Sequence, residues 1–396
     1  MAKDSIPQLT FRDQAHLLKR ALDSGEALVD VLSEKGLTYD DLRYENSFAK
    51  SWDGPARPVL KFKKSNGLPF VSFFSGCGGM DLGMEAAGFK HTAAFEHNEL
   101  FCKTLRRNRP GWRVFGPPTH SGDVSSRSDV SAALTSLINA PFEGLFVGGP
   151  PCQPFSIASN QRFSKNGSNF KRTGFLHKAN GNLLFDFVQI VIDFKPVAFV
   201  IENVPGLRDL DDGVQLTAAI RRLIDAGYTV SEPFVLNAAD FGVPQNRHRL
   251  FVVGSRSGRS FTQPKPAQLT YGAGSVLLRG RSELSNSETR EHKPESVMRY
   301  MRLDYGRRDP LGRVDRLDPT LPSKTVIAGG SQGGGRSHLH PEIPRTLSVR
   351  ECARLQTFPD SYEFVGASAR QFTQVGNAVP PLLAYRIGLS ITDQLF

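Results

Sequence analysis

The sequence predicts an α/β protein: a doubly wound sheet, a smaller loop-rich domain and a helical N-terminal extension. Three observations carry this. Apolar runs alternate with amphipathic segments between Leu68 and Arg256, as strands and crossover helices do. Glycines crowd the end of the first apolar run. Residues 255–344 then lose the alternation and become rich in Gly, Arg, Pro and Ser.

Residues 1–66 read as a separate helical segment. In "TFRDQAHLLKRALDSGE" apolar residues recur at helical spacing after Thr10, and Asp13 completes a capping box. "EALVDVLSEKG" predicts a second short helix stopped by Gly36, and "LTYDDLRYENSF" a third. Eleven basic and ten acidic residues nearly cancel here. "DGPARPVLKFKKSNG" reads as a linker into a strand. Across 67–254, "PFVSFF", "HTAAFE", "EGLFVGG" and "PVAFVIEN" suit a buried parallel sheet. "DLGMEAAGF", "NELFCKTLRRN", "GNLLFDFVQIVIDFK" and "GVQLTAAIRRLIDAGY" are the helices between. Ligands of such a sheet bind at the carboxyl ends of its strands. After "RLFVVGSR", the window 255–344 holds fifteen Lys/Arg against nine Asp/Glu, +6 of the chain's +10. It is a loop-rich domain or partly disordered, with "SKTVIAGG" favouring a fold. Residues 345–396 return to the α/β domain through "SVRECARLQTF", where Ser348 and Glu351 form a capping box, and the helix "PPLLAYRIGLSITDQLF".

Bulk properties narrow the function. With 39% hydrophobic and 22% charged residues in 396, the composition is that of a soluble globular protein. No run of eighteen apolar residues exists, so no membrane span is expected. The N-terminus lacks a secretory apolar segment, which makes the cytoplasm the expected location. Cys77, Cys102, Cys152 and Cys352 are scattered without a CxxC pair, so neither a disulfide frame nor a metal site is expected. The positive charge favours a polyanionic partner.

Candidate chemistry collects at the predicted strand ends. Gly76, Gly78 and Gly79 in "FFSGCGGMDLGM" let backbone approach a ligand, and Glu96 lies twenty residues after Gly76, where a ribose-binding acid belongs. Asp123 in "SGDV" could face an adenine edge. The spacing is neither GxxxxGK[ST] nor full GxGxxG, so a nucleoside without pyrophosphate fits better; a plain tight turn is the alternative. Cys152 follows Pro150 and Pro151, which restrict the backbone and aim the thiol; a buried structural thiol is the alternative. Glu202 ends another strand, as an acid of raised pKa or an ordinary salt-bridging group. Arg247 and Arg249, two apart, share one face of a strand and suit an anion or polar ring edge, or plain surface charge.

In order along the chain, "FFSGCGGMDLGMEAAGF", "FEHNE", "GDV", "GGPPCQPFS", "GNLLFD", "ENVPG", "PQNRHRLFVVG", "RECARLQTFPD" and "QVGNAVPP" resemble the motifs of the DNA cytosine-5 methyltransferases, of the bacterial restriction–modification type. The resemblance spans roughly four-fifths of the chain, from Phe70 onward. It implies a Rossmann-like, S-adenosylmethionine-dependent methyltransferase sheet and no metal. It implies Cys152 as the nucleophile, Glu202 on ring nitrogen 3 and the amino group, Arg249 on the base oxygen and Arg247 in support. Cofactor contacts carried over are Phe74, Gly76, Gly78, Glu96, Asp123, Leu184, Asn377 and Val379, with the C-terminal helix packed beside the first strand.

Because the target carbon is hidden in stacked duplex DNA, the base must flip out. The basic segment 156–181, with Ser156, Arg162, Lys165, Lys171, Arg172 and Lys178, resembles the family's mobile active-site loop, longer than its compact form. Residues 255–344 occupy the target-recognition position, with Arg336 a candidate reader of guanine edges. The expected partners are double-stranded DNA and, functionally, a cognate restriction endonuclease; a monomer is expected. An RNA (tRNA) cytosine-5 methyltransferase of the same fold and a non-catalytic DNA-binding module are the rival readings. Residues 1–66 could be a helix-turn-helix regulator or, better matched to their charge balance, a scaffold or DNA-clamp extension.

Overall fold

The computed structural model describes residues 9–47, 54, 56, 59–151, 183–278, 284–328 and 338–396. In chain order the helices and strands begin with α1 (Phe11–Ser24), α2 (Leu28–Ser33), β1 (Pro69–Phe73), α3 (Gly79–Ala86), β2 (Lys90–Phe95) and α4 (Glu99–Asn108). Next come β3 (Val114–Phe115), α5 (Arg127–Thr135), β4 (Leu145–Gly148), α6 (Leu183–Phe194), β5 (Ala198–Asn203) and α7 (Val214–Asp225). β6 (Thr229–Val230), β7 (Phe234–Asn237), β8 (His248–Ser255), α8 (Gly274–Leu277) and α9 (Pro294–Tyr300) follow. The chain closes with β9 (Arg308–Asp309), β10 (Val314–Arg316), β11 (His338–Leu339), α10 (Val349–Leu355), α11 (Ser368–Asn377) and α12 (Pro381–Leu395). No helix among the described residues is long and apolar enough to cross a membrane.

Two compact units divide the chain. Leu60–Gly242, Arg247–Gln268 and Ala378–Phe396 form the sheet unit; Met1–Val59, Val243–Asn246 and Leu269–Asn377 form the other. These boundaries differ from those read at 66, 254 and 344. Residues 1–59 do not stand alone, and α10 and α11 group with the segment before them.

The sheet runs β3-β2-β1-β4-β5-β8-β6, with β7 also paired to β8. β1 to β5 are mutually parallel, and their continuous burial explains the unbroken apolar runs. β8 is antiparallel to β5, β6 and β7. Ten residues separate β7 from β8, too short a connection for a helical crossover. Strand order reverses between β1 and β4, which makes the carboxyl ends of those two strands the switch point where ligands of such sheets bind. Beneath it Phe73 stacks on Phe95 at 5.2 Å and meets Phe146 and Phe187 at the same distance. A Cβ on Gly148 would fall 2.8 Å from the Phe187 ring, so glycine lets that ring cover the end of β4.

The C-terminal helix α12 returns to the sheet unit but lies on α3, the helix after β1, rather than beside β1 itself. Glycines set the approach: a Cβ on Gly83 would sit 2.3 Å from the Ala384 Cβ, and one on Gly388 2.8 Å from the Ala87 Cβ.

In the other unit, α1 begins in the expected capping box, Thr10 with Asp13. Leu18, Ala21, Leu28, Val31 and Leu32 share one apolar cluster with Val297 and Met301, almost three hundred residues away. The third expected helix is only a 3-10 turn, Tyr39–Asp41. Thr38 and Asp41 satisfy each other's neighbouring groups there, and the backbone turns extended at Leu42. β9, β10 and β11 form a small sheet. "SKTVIA" is not a strand beyond a bridge from Ser323 to Gln245. α10 starts in the Ser348–Glu351 capping box. Its charges are structural: Arg345 donates to both Glu351 oxygens at 2.9 Å, Arg354 forks onto Asp360 at 2.9 and 3.0 Å, and Arg350 reaches the carbonyls of Ser285 and Tyr362.

Candidate active site

Turns at the carboxyl ends of β1, β4 and β5 carry the candidate chemistry. After β1 the chain passes Phe74 at φ 56°, Gly76 at 58° and Gly78 at 80°. Glycine adopts this left-handed region freely. Phe74 carries a strain of about 1–3 kcal/mol there, and its half-buried ring meets Phe187 edge-on at 6.4 Å. The Gly76 N–H donates to Glu96 Oε2 at 2.8 Å, and the Asn98 N–H to Oε1 at 2.8 Å. Burial pushes the Glu96 pKa up, while these two N–H groups favour its charged form. A Cβ on Gly76 would meet nothing within 4 Å, so the turn opens onto free space.

The "GDV" loop closes on the same carboxylate's backbone. A Cβ on Gly116 or Gly122 would lie 2.2 or 2.1 Å from the Glu96 carbonyl oxygen. Only glycine permits that approach, and it brings Asp123 to the end of β2 and β3. Asp123 Oδ1 accepts from the Ser125 N–H at 2.9 Å and the Ser125 hydroxyl at 2.8 Å.

β4 leads into Gly149, Pro150 and Pro151, and β5 pins that turn: Asn203 Nδ2 donates to the Pro150 carbonyl at 2.9 Å. Beside it, a Cβ on Gly149 would lie 3.0 Å from Glu202 Oε2. Glu202 Oε1 accepts from Arg249 Nε at 2.9 Å, the two side chains being 12% and 13% exposed. Burial raises the Glu202 pKa above the ordinary carboxyl range; the attraction of Arg249 and then Arg247 opposes this without cancelling it. Arg247 is wholly buried. Burial, then repulsion from Arg249, pull its pKa well below the usual guanidinium value. β8 starts at His248, so Arg247 stands just outside the strand, yet both arginines act on one carboxylate.

The remaining expected residues divide. Leu184 is buried at the start of α6, in the sheet core. Val379 is buried with its carbonyl against Gly79, where a Cβ would be 2.2 Å away. Asn377 is exposed at the end of α11, in the other unit. Cys152, Ser156, Arg162, Lys165, Lys171, Arg172, Lys178 and Arg336 lie outside the described residues. Asn98, Gly149 and Asn203 lie inside motifs already quoted, and the structure adds the roles the sequence did not show: Asn98 donates to Glu96 and caps α4, Gly149 lets Glu202 approach, and Asn203 bonds across to the Pro150 carbonyl.

The donor set at β1 and β2 fits S-adenosylmethionine. An open glycine turn suits a small backbone-bound moiety, and a fixed carboxylate twenty residues on suits ribose hydroxyls.

Comparison with known proteins gives the family. Residues 68–393 match the C-5 cytosine-specific DNA methylase family. The chain is 31% identical over 397 aligned residues to the type II methyltransferase M.PspPI of Psychrobacter, covering 93% of this chain and 89% of that protein. It is 34% identical to M1.HphI of Haemophilus parahaemolyticus, covering 82% and 86%. Among solved structures, an Escherichia coli prophage protein described as a DNA modification methyltransferase superposes with a TM-score of 0.63 at 24% identity, covering 83% of this chain and 99% of that one.

Proposed function

The chain belongs to the C-5 cytosine-specific DNA methylase family and is a DNA cytosine-5 methyltransferase; on that premise we propose which residues do the work. Cys152, next in the chain after Pro151, adds as thiolate to carbon 6 of a flipped cytosine. The electron pair displaced from the ring double bond spreads toward nitrogen 3 and the base oxygen. Glu202 faces nitrogen 3 and the amino group, Arg249 holds the base oxygen, and Arg247 supports both. A carboxyl whose pKa burial raises keeps a proton to share with nitrogen 3 up to a higher pH than an exposed carboxyl does. When bound, S-adenosylmethionine supplies an electrophilic methyl group. Once carbon 5 carries the methyl group, released from the cofactor's sulfonium as a neutral thioether, its proton would be lost to solvent water and the carbon 6–sulfur bond would break to return the Cys152 thiolate.

Gly76 and Gly78 would hold the methionine moiety, Glu96 the ribose, and Phe74 and Asp123 the adenine, with Leu184 and Val379 completing the pocket. Basic residues after Ser156, among them Arg162, Lys171 and Arg172, would meet phosphates, and Arg336 a base edge. The unit containing 269–377 recognises a specific duplex sequence. The enzyme acts as a monomer and protects DNA against a cognate endonuclease.

The observation that carries this reading is the largely buried Glu202–Arg249 pair beside the turn pinned at Pro150. Its test is trapping on duplex DNA containing 5-fluorocytosine, whose carbon 5 cannot release a proton. The wild type should form a covalent adduct, and Cys152→Ser should form none while still binding S-adenosylmethionine and DNA. Adduct formation by Cys152→Ser, or methyl transfer to tRNA but not duplex DNA, would overturn it.

A further inference from the structure

Residues 299–316, "RYMRLDYGRRDPLGRVDR", carry six arginines against three aspartates. β9 and β10 fold part of this stretch into an antiparallel hairpin, Asp309 opposite Val314 and Arg308 opposite Asp315. The tip is tightly specified. The Gly312 N–H donates to Asp309 Oδ2 at 2.5 Å, and Arg313 adopts φ 51°. On this tip Leu311 is 75% exposed, with Arg307, Arg308 and Arg313 exposed near it in the chain. Arg308 shares the Asp315 carboxylate with Lys324. Arg302, Arg307 and Arg313 have no ion-pair partner among the described residues.

The base of the hairpin is held by the N-terminal segment. The buried Arg316 guanidinium lies between the rings of Tyr44, at 3.6 Å, and Tyr305, at 3.9 Å. It donates to the carbonyls of Pro341 at 2.8 Å and Leu303 at 2.5 Å, and to Asn46 Oδ1. Tyr44 in turn donates to the His340 carbonyl at 2.9 Å, and Asp40 pairs with Arg345 at 2.9 Å. Helices α1 and α2 bury their apolar faces against Val297 and Met301, beside the start of the arginine-rich stretch. The near-neutral charge of residues 1–66 means this segment supplies geometry, not field.

Two guanidiniums without an ion-pair partner among the described residues, Arg307 and Arg313, beside an exposed aliphatic tip fit a polyanion, here duplex DNA: phosphates for the arginines, a groove wall for Leu311. We propose that the β9–β10 hairpin touches the DNA backbone on behalf of the recognition unit, and that the N-terminal segment is the mount that positions it. The proposal rests on the DNA methyltransferase reading above.

The test uses the full chain and a short unmethylated duplex of mixed sequence. Removing one arginine from a phosphate should make the slope of log K against log salt shallower by about 0.9. Arg307→Ala/Arg313→Ala should therefore flatten it by about 1.8, while leaving S-adenosylmethionine affinity unchanged. An unchanged slope would overturn the assignment of the hairpin to DNA. For the mount, Tyr44→Leu removes the ring face and Tyr44→Phe keeps it. Tyr44→Leu should raise KM for DNA several-fold at unchanged kcat and unchanged cofactor affinity, and Tyr44→Phe should restore the wild-type value. Equal KM in all three proteins would overturn it. If Tyr44→Leu does not fold, Asn46→Ala, which removes a single bond to Arg316, gives the same readout. Wild-type methyl transfer to unmethylated bacterial DNA is measured alongside: its presence with an unchanged slope defeats only this inference, and its absence defeats the underlying reading.

Discussion

Glu202→Gln separates the charge of the active-site carboxylate from its shape. At effective dielectric 20, an ion pair about 4 Å apart is worth about 4 kcal/mol, and the 2.9 Å pairing with Arg249 is of that kind. Yet burial raises the Glu202 pKa despite both arginines, so desolvation outweighs their attraction. A neutral isostere that still accepts from Arg249 should therefore leave stability nearly unchanged at neutral pH, within about 1 kcal/mol, instead of the roughly 3–5 kcal/mol that breaking a buried pair costs. The sign with pH is definite. A carboxyl whose folded pKa exceeds its unfolded value contributes stability that is complete below the unfolded pKa and is lost as pH rises through the folded one. Stability of the wild type should fall relative to Glu202→Gln across that window, read by urea unfolding at a series of pH values. Activity should behave differently. Removing one group that stabilises developing charge costs about 2.7–4 kcal/mol, a fall of about 10²–10³ in kcat, read by single-turnover transfer of tritiated methyl. A stability loss above about 3 kcal/mol at neutral pH would refute the claim that burial dominates. A kcat within about threefold of wild type would refute the catalytic role.

Glu96→Ala removes the acceptor for the Gly76 and Asn98 N–H groups; it should raise the Kd for S-adenosylmethionine at least tenfold, about 1.4 kcal/mol, with DNA binding unaffected, as calorimetry with each ligand would reveal. Gly83→Ala places a methyl 2.3 Å from the Ala384 Cβ and should destabilise by about 1–3 kcal/mol through overpacking, visible as a lower Tm. Ser348→Ala breaks the capping box of α10 and should cost about 0.5–2 kcal/mol in denaturant unfolding; no change would mean that the buried arginines hold the helix without it.

Much of the sheet unit was legible because its signals are local. Strands buried on both faces must be apolar throughout, so "PFVSF", "LFVG" and "AFVI" announce themselves. Thr10 with Asp13 and Ser348 with Glu351 cap helices through groups three residues apart. The left-handed turn at Gly76 and Gly78 follows from the residue type. Glu202 and Arg249 were each singled out, but their pairing was not, since it depends on β8 running antiparallel beside β5.

The N-terminal segment marks the boundary most clearly. Its own periodicity determined that α1 and α2 would be helices with one apolar face. Nothing local could say what that face covers. A charge balance near zero and three apparent helices were compatible with an independent module. The tertiary structure instead joined Leu18 and Val31 to Met301, and Tyr44 to Arg316 across more than 270 residues. An apolar stripe states only that it must be buried, while its partner is chosen by the packing of the whole chain.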